Sequence, residues 1–174
     1  MTLFDSQNRR DIYALELSGA RKAVPFVQTP SDENVAEFSP DGRWVVYSSS
    51  ETGRYEIYVK PFPSGGGRWQ ISADGGGEAR WASSGKEIIF KLTSRFFSVP
   101  VETGATFRAG APRLLFETGR PTFNATSGSS FTLSRDGKRI LLAFPVKQEA
   151  ARGDVVVVTN WAEEVLRATG QKPR

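Results

Sequence analysis

Phe-Ser-Pro-Asp-Gly-Arg-Trp-Val-Val-Tyr, at residues 38–47, joins a tight-turn signal to an apolar strand. Pro40 presets φ for the second position of a type I turn, and Asp41 is a residue type that such turns favour. Gly42 can adopt the left-handed conformation that lets a hairpin close with a bulge. The apolar run after it lacks the polar alternation of a half-exposed strand. The stretch therefore predicts a hairpin whose second strand is covered on both faces.

The same arrangement occurs twice more along the chain. Residues 81–86 read Trp-Ala-Ser-Ser-Gly-Lys and residues 133–138 read Leu-Ser-Arg-Asp-Gly-Lys, each followed by an apolar strand. The turn glycine recurs at Gly85 and Gly137, and Asp136 takes the place of the aspartate in the third copy. The second copy has Ser-Ser where the first has Pro-Asp, and the third has Arg in place of Pro. Because the glycine is kept, these changes weaken the motif without threatening the fold.

Two further strand candidates follow the hairpin in each of the first two copies. They are Glu56–Val59 and Arg68–Ile71 in the first copy, and Phe96–Val99 and Arg113–Phe116 in the second. The third copy reaches Asp154–Val158 and has no obvious fourth strand. The turn glycines are 43 and 52 residues apart, and a loop insertion within Thr118–Ser130 accounts for the longer spacing.

Four short strands in about 40–45 residues are typical of a β-propeller blade. A β-sandwich also has many short strands, but it does not require one four-strand order to recur. The 17 glycines, 10 prolines and 11% aromatic content favour short strands and tight turns as well. We therefore predict an all-β chain that forms a partial β-propeller of four-stranded antiparallel blades, with two full blades flanked by two incomplete ones.

The repeat also predicts where the blades begin and end. Residues 1–30 are expected to be the end of a preceding blade, because Asp11–Leu15 and Val24–Val27 align with the third and fourth strands of the next unit. The predicted ranges that follow are a blade at 31–73, a blade at 74–117, an incomplete last blade with a loop insertion at 118–160, and a C-terminal extension at 161–174. Unclosed blades expose sheet faces and edges, so we expect copies of the chain to associate with one another.

The turn block followed by a hydrophobic strand resembles the WD-like repeats of TolB-type propellers. The longer string at 38–59, with Lys60–Pro63, Trp69–Ser72 and Asn160–Trp161, resembles the C-terminal propeller of bacterial membrane-anchored serine/threonine protein kinases. In that family the propeller follows a kinase domain and usually a membrane helix. The resemblance implies a sensing or protein-interaction module, which is periplasmic when it is attached to the membrane-anchored kinase.

The composition excludes several kinds of catalysis. The chain has no histidine and no cysteine, so Ser-His-Asp and Cys-His mechanisms are impossible and the usual zinc sites lack their ligands. The glycine runs at 65–67 and 75–77 lack the residues of a phosphate-binding loop, and no kinase catalytic loop is present. We predict no catalytic residues, no metal site and no cofactor, and we expect carboxylates such as Asp32 and Glu33 to be turn-forming and solvated.

The charge distribution and the hydropathy limit which partners and which cellular location we expect for the chain. The 23 Lys and Arg residues are scattered among 19 Asp and Glu residues, so the net charge of +4 does not indicate nucleic-acid binding. No apolar run approaches the roughly 18 residues of a membrane helix, and residues 1–10 lack the apolar core of a signal peptide, so none is expected. We expect the chain as written to remain in the cytoplasm.

Propellers usually bind ligands at the mouth of the central channel, where the loops entering each innermost strand converge. Here those loops contain Glu33 and Asn34, then Glu78 and Arg80, and finally Asn124. These residues are therefore candidates for binding a protein, a peptide or a small ligand. The tryptophans Trp44, Trp69 and Trp81 fit core packing better than a stacking surface.

Three interpretations stay open on the sequence. The first is a non-enzymatic sensor or scaffold fragment from a kinase-linked propeller. The second is a truncated gene product without independent function. The third is the propeller gate of a prolyl-oligopeptidase-like peptidase whose hydrolase domain is missing.

Overall fold

The computed structural model describes residues 2–4, 9–63, 66–122 and 129–145, and these residues form strands, turns and loops with no helix. The strands are β1 Thr2–Phe4, β2 Arg10–Leu15, β3 Ala23–Val27, β4 Glu33–Phe38, β5 Trp44–Ser49, β6 Glu56–Pro61, β7 Trp69–Gln70, β8 Glu78–Trp81, β9 Glu87–Leu92, β10 Arg95–Thr103, β11 Phe107–Ala109, β12 Arg113–Glu117, β13 Phe131–Leu133 and β14 Ile140–Leu142.

The described strands make four antiparallel sheets in chain order. Sheet I has the order β1-β2-β3, and sheet II has the order β4-β5-β6-β7. In sheet III, β8, β9 and β10 are neighbours, and β10 pairs with both β11 and β12. Sheet IV pairs β13 with β14. This architecture confirms the predicted all-β, partial propeller; the strand expected at Asp154–Val158 lies outside the described residues.

The central strands are buried on both faces, as the missing alternation predicted. All six residues of β5 are buried. Successive side chains of a strand point to opposite faces, and accordingly Trp44 and Val46 pack in the core between sheets II and III. Val45 and Tyr47 pack in the core between sheets I and II. Sheet II therefore needs a neighbour on each side.

Three aromatic rings pack against one another at the contact between sheets II and III. The ring centroids of Trp44, Trp69 and Phe107 lie 5.4–5.6 Å from one another. Phe107 is on β11, which pairs with the far end of the nine-residue strand β10. The sequence reading gave four strands to this unit and missed that hairpin. Trp44 and Trp81 are buried and Trp69 is partly buried, which confirms their prediction as core residues.

Sheets III and IV share a third, smaller core. It contains Ile89, Phe96 and Phe131, with Phe116 and Leu133 packed against it. The Phe96 ring stacks on Phe116 at 4.7 Å and meets Phe131 edge-on at 5.3 Å. Each pair of consecutive sheets is thus joined by its own apolar cluster.

The repeated turn has the geometry that its glycine permits. Gly42, Gly85 and Gly137 have φ values of 71°, 68° and 68°. In the first turn, the Ser39 hydroxyl donates to Asp41 Oδ1 at 2.6 Å and accepts from the Trp44 amide at 3.0 Å. The hydrogen bond from the Ser39 hydroxyl lowers the pKa of Asp41 to about 2, and the hydrogen bond from the Arg43 amide makes the next largest contribution.

We predict that Gly42→Ala lowers the free energy of unfolding by about 1–2 kcal/mol, the strain of placing a Cβ in the left-handed region. No atom lies within 4 Å of the added Cβ, so the effect is conformational and not steric. Gly66→Ala is the matched control, because Gly66 also has open space around it but no positive φ. Urea unfolding measures both variants. Equal stabilities for the two would contradict the predicted strain.

Candidate functional site

The ends of β4, β8 and β13 converge on a concave pocket, here called the inner-strand pocket. Each of these strands is the first of its sheet, and the pocket volume is about 370 Å³. It is lined by Glu37, Phe38, Pro40, Trp81, Ser83, Leu133, Ser134 and Arg135. Three consecutive sheets therefore contribute to one surface.

Polar contacts hold the walls of the inner-strand pocket together. The Ser83 hydroxyl donates to the Arg135 carbonyl at 2.6 Å, which joins the second turn to the third. Glu37 Oε2 accepts from the Trp81 amide at 3.4 Å and lies 3.8 Å from Arg80 Nη1. Burial raises the pKa of Glu37, partly offset by the Arg80 charge. The Arg135 side chain is exposed.

Glu78 and Arg80 lie on β8, and they join sheet III to sheet IV. Glu78 is buried, and it accepts from Arg80 Nη2 at 2.7 Å and from the Ser129 hydroxyl at 2.9 Å. The Ser130 amide donates to both carboxylate oxygens, at 3.1 and 3.0 Å. Lys91 Nζ is 3.9 Å from Glu78 Oε2. Since Ser130 directly precedes β13, this carboxylate fixes where the next sheet begins.

Glu33 begins β4 and is fully buried, so the expectation of a solvated turn carboxylate was wrong. Its Oε1 accepts from the Thr29 hydroxyl at 2.6 Å and the Ser49 hydroxyl at 3.1 Å. Its Oε2 is buried without a hydrogen-bond partner among the described residues. Burial raises the pKa of Glu33, because the charged form loses its hydration.

Asn34 follows Glu33 on β4 and contacts Arg10 of sheet I. In one orientation of its side-chain amide, the nitrogen donates to the Ser48 hydroxyl and the oxygen accepts from Arg10 Nη2 at 2.8 Å. Asn34 pairs with Ser48 of β5 as Glu78 pairs with Lys91 of β9, so the two hold the same place in their sheets. Candidates Glu33 and Asn34 thus lie near the junction of sheets I and II, and Glu78 and Arg80 at the junction of sheets III and IV. Asn124 lies outside the described residues.

An ion pair that the sequence reading missed joins sheets I and II. Arg10 donates from Nε to Asp32 Oδ1 at 2.9 Å and from Nη2 to Asp32 Oδ2 at 2.6 Å, and the Tyr55 hydroxyl also donates to Asp32. The Arg10 hydrogen bonds lower the pKa of Asp32 to about 2. These residues lie outside the repeated motif, so no spacing in the sequence indicated the contact.

Within residues 9–63, 66–122 and 129–145, no three or more acidic side chains converge as metal ligands would. Over the same part of the chain, no helix has the length and apolar character needed to cross a membrane.

A solved structure has a similar fold. The chain is similar to TolB from Acinetobacter baumannii at 26% sequence identity, with a TM-score of 0.52. The fold is a TolB-like β-propeller. The match covers 81% of this chain and 33% of TolB, so the chain spans about a third of the length of that protein. No family model matches the chain, and no curated protein matches it.

We predict that Asp32→Asn lowers the free energy of unfolding by about 2 kcal/mol at pH 7, because a carboxylate with a depressed pKa stabilises the fold by that order. The folded-state pKa lies below the unfolded one, so the stabilisation is present above about pH 4. It is lost as the pH falls through about 2.

Urea unfolding of wild type and Asp32→Asn at pH 7 and at pH 2.5 measures this effect. The difference between the two proteins should shrink at the lower pH. Asp74→Asn, which removes an exposed carboxylate, is the control and should change the stability little. A difference for Asp32→Asn that is the same at both pH values would contradict the assignment.

Proposed function

We propose that this chain is a non-enzymatic binding module that takes an extended protein or peptide segment in the inner-strand pocket. The observation that carries the proposal is the convergence of three consecutive sheets on one concave surface. The TolB-like fold supports an interaction module of this kind. The chain spans about a third of TolB, and the groups that line the pocket indicate the chemistry of its partner.

The pocket combines apolar and polar groups that suit a peptide. Phe38 and Leu133 offer apolar contact, and the Trp81 side chain, which also lines the pocket, is held in the core. Glu37 and Arg135 place opposite charges at the two sides of the pocket, from β4 and from the turn after β13. A segment with an apolar residue between a basic and an acidic one would match this order of groups.

A kinase-linked sensor is the more specific form of this proposal. Its support is the resemblance of residues 38–63 and 69–72 to the propellers of membrane-anchored kinases. The neighbouring DNA tests it: a kinase reading frame upstream and in register would support the sensor role. A hydrolase frame downstream would instead support the peptidase gate.

Selection from a phage-displayed library of random peptides tests binding at the inner-strand pocket. We expect wild type to select peptides that bind saturably in isothermal titration calorimetry. Arg135→Glu and Ser83→Arg should each weaken that binding by about tenfold, which corresponds to about 1.4 kcal/mol. Both residues are exposed. Because Ser83→Arg also removes the hydrogen bond to the Arg135 carbonyl, urea unfolding of both variants checks that the fold is kept.

Arg108→Glu is the matched control, since Arg108 is exposed on β11 and does not line the pocket. It should bind the selected peptides as wild type does. Failure to select any saturable peptide would contradict the proposal. So would peptides whose affinity is unchanged by both pocket variants.

A further inference from the structure

Glu33 is a buried carboxyl group near the junction of sheets I and II, and it lacks a cationic partner. Its side chain has no exposed surface, and no Lys or Arg among the described residues pairs with it. Glu56 is also buried, but Arg54 Nε lies 2.7 Å from its carboxylate. Glu78 is buried too, and Arg80 Nη2 lies 2.7 Å from its carboxylate. Glu33 therefore lacks the charge compensation that Glu56 and Glu78 have.

The two carboxyl oxygens of Glu33 have unequal surroundings. Oε1 accepts a hydrogen bond from Thr29, in the link at residues 28–32 that joins sheet I to sheet II, and another from Ser49 on β5. Oε2 is buried and has no partner among the described residues. A carboxylate would leave this oxygen with neither water nor a donor, and a buried charge costs far more than a buried neutral group. The geometry therefore favours the protonated side chain.

The charged and titratable groups around Glu33 do not offset its burial. Burial is the largest effect on the pKa of Glu33 and raises it, and the negative charge of Asp11 on β2 raises it further. On β5, burial raises the pKa of Tyr47 to about 12, so its hydroxyl stays neutral. Arg10 on β2 donates two side-chain hydrogen bonds to Asp32. The positive charge at this junction is thus placed on the neighbouring carboxylate.

Asp32 and Glu33 are consecutive carboxyl groups with opposite pH behaviour. The pKa of Asp32 is about 2, so Asp32 is charged above that pH. Both residues hold the link to sheet II: the Asp32 amide donates to the Ser50 hydroxyl at 3.0 Å, and the Ser50 amide donates to the Asp32 carbonyl at 3.1 Å. Water can reach Glu33 Oε2 only when the link or sheet I moves away, because the side chain has no exposed surface.

We propose that Glu33 makes the junction of sheets I and II sensitive to pH: it holds a proton in the folded chain, and loss of that proton loosens sheet I from sheet II. The folded-state pKa lies above the ordinary value of 4.5, so the stabilisation is present below that pH and is lost as the pH rises through the raised pKa. The junction is therefore strongest where Asp32 is charged and Glu33 is neutral. This property does not depend on the function proposed for the inner-strand pocket.

Nuclear magnetic resonance of the full chain labelled with ¹³C at the glutamate carboxyl groups measures the proton directly. Correlation of each carboxyl carbon with its own backbone amide assigns the Glu33 signal, so this measurement needs no variant. We expect its titration midpoint to be shifted above 4.5, the ordinary value for a glutamate. The exposed Glu102 serves as the internal comparison and should titrate at a lower pH than Glu33.

Glu33→Gln tests the link between this proton and stability, because glutamine keeps the size and the neutral charge of the protonated side chain. Urea unfolding of both proteins from pH 4 to pH 9 should show wild type losing stability relative to the variant as the pH rises. The ratio of their unfolding constants should change about tenfold for each unit by which the folded-state pKa exceeds the unfolded one. Glu102→Gln is the matched control and should keep the pH dependence of wild type.

Hydrogen exchange at pH 5 and pH 8, corrected for the intrinsic exchange rates, locates the effect. In wild type, the opening constant of the slowest β2 amides should rise with pH relative to that of the slowest β9 amides. In Glu33→Gln, this relative rise should be absent.

Two results would overturn the proposal. The first is a Glu33 carboxyl group that titrates at or below 4.5. The second is an opening of β2 that changes with pH no more than that of β9, since the junction would then not be where the proton acts.

Discussion

Sheets II and III depend on each other, because their central strands turn large apolar side chains toward one shared core. Val46, Ile57, Val59, Ile88 and Val99 have no exposed surface, and all five lie in the core between sheets II and III. Burying one aliphatic side chain of this size is worth about 1.5–3 kcal/mol. Separating the two sheets would expose all of them at once. The apolar contact between neighbouring sheets is therefore the constraint that the turns, the junctions and the pocket follow.

The apolar cores hold neighbouring sheets together, and polar groups at the junctions between sheets fix how those sheets are aligned. Glu78 is buried but accepts hydrogen bonds from Arg80, Ser129 and Ser130, so its charge is compensated. Asp32 is compensated by Arg10. Glu33 differs, since one of its oxygens has no partner among the described residues and burial raises its pKa. Hydrogen bonds to a carboxylate are directional, and they fix the position of each inner strand and so the shape of the inner-strand pocket.

The sequence predicted the features that depend on local signals. The turn glycines, the strand order and burial on both faces of β5 all follow from residue types at short spacing. The bulge in β4, where Val35 has φ 49°, could not be predicted because no glycine marks it. Because of this bulge, Asn34, and not Val35, holds the position in sheet II that Glu78 holds in sheet III. Likewise, the Arg10–Asp32 pair depends on how separate sheets pack, which spacing along one chain does not encode.

Native-state hydrogen exchange tests most directly whether sheets II and III form one cooperative unit. If their shared core holds the fold together, the slowest amides of β5 and β9 should exchange with the same free energy, and it should equal the free energy of global unfolding from urea. The pH dependence of the rates should first establish that exchange reports equilibrium opening. A β9 that opens at a clearly lower free energy than β5 would show that the two sheets unfold separately, and it would rule out a single cooperative core.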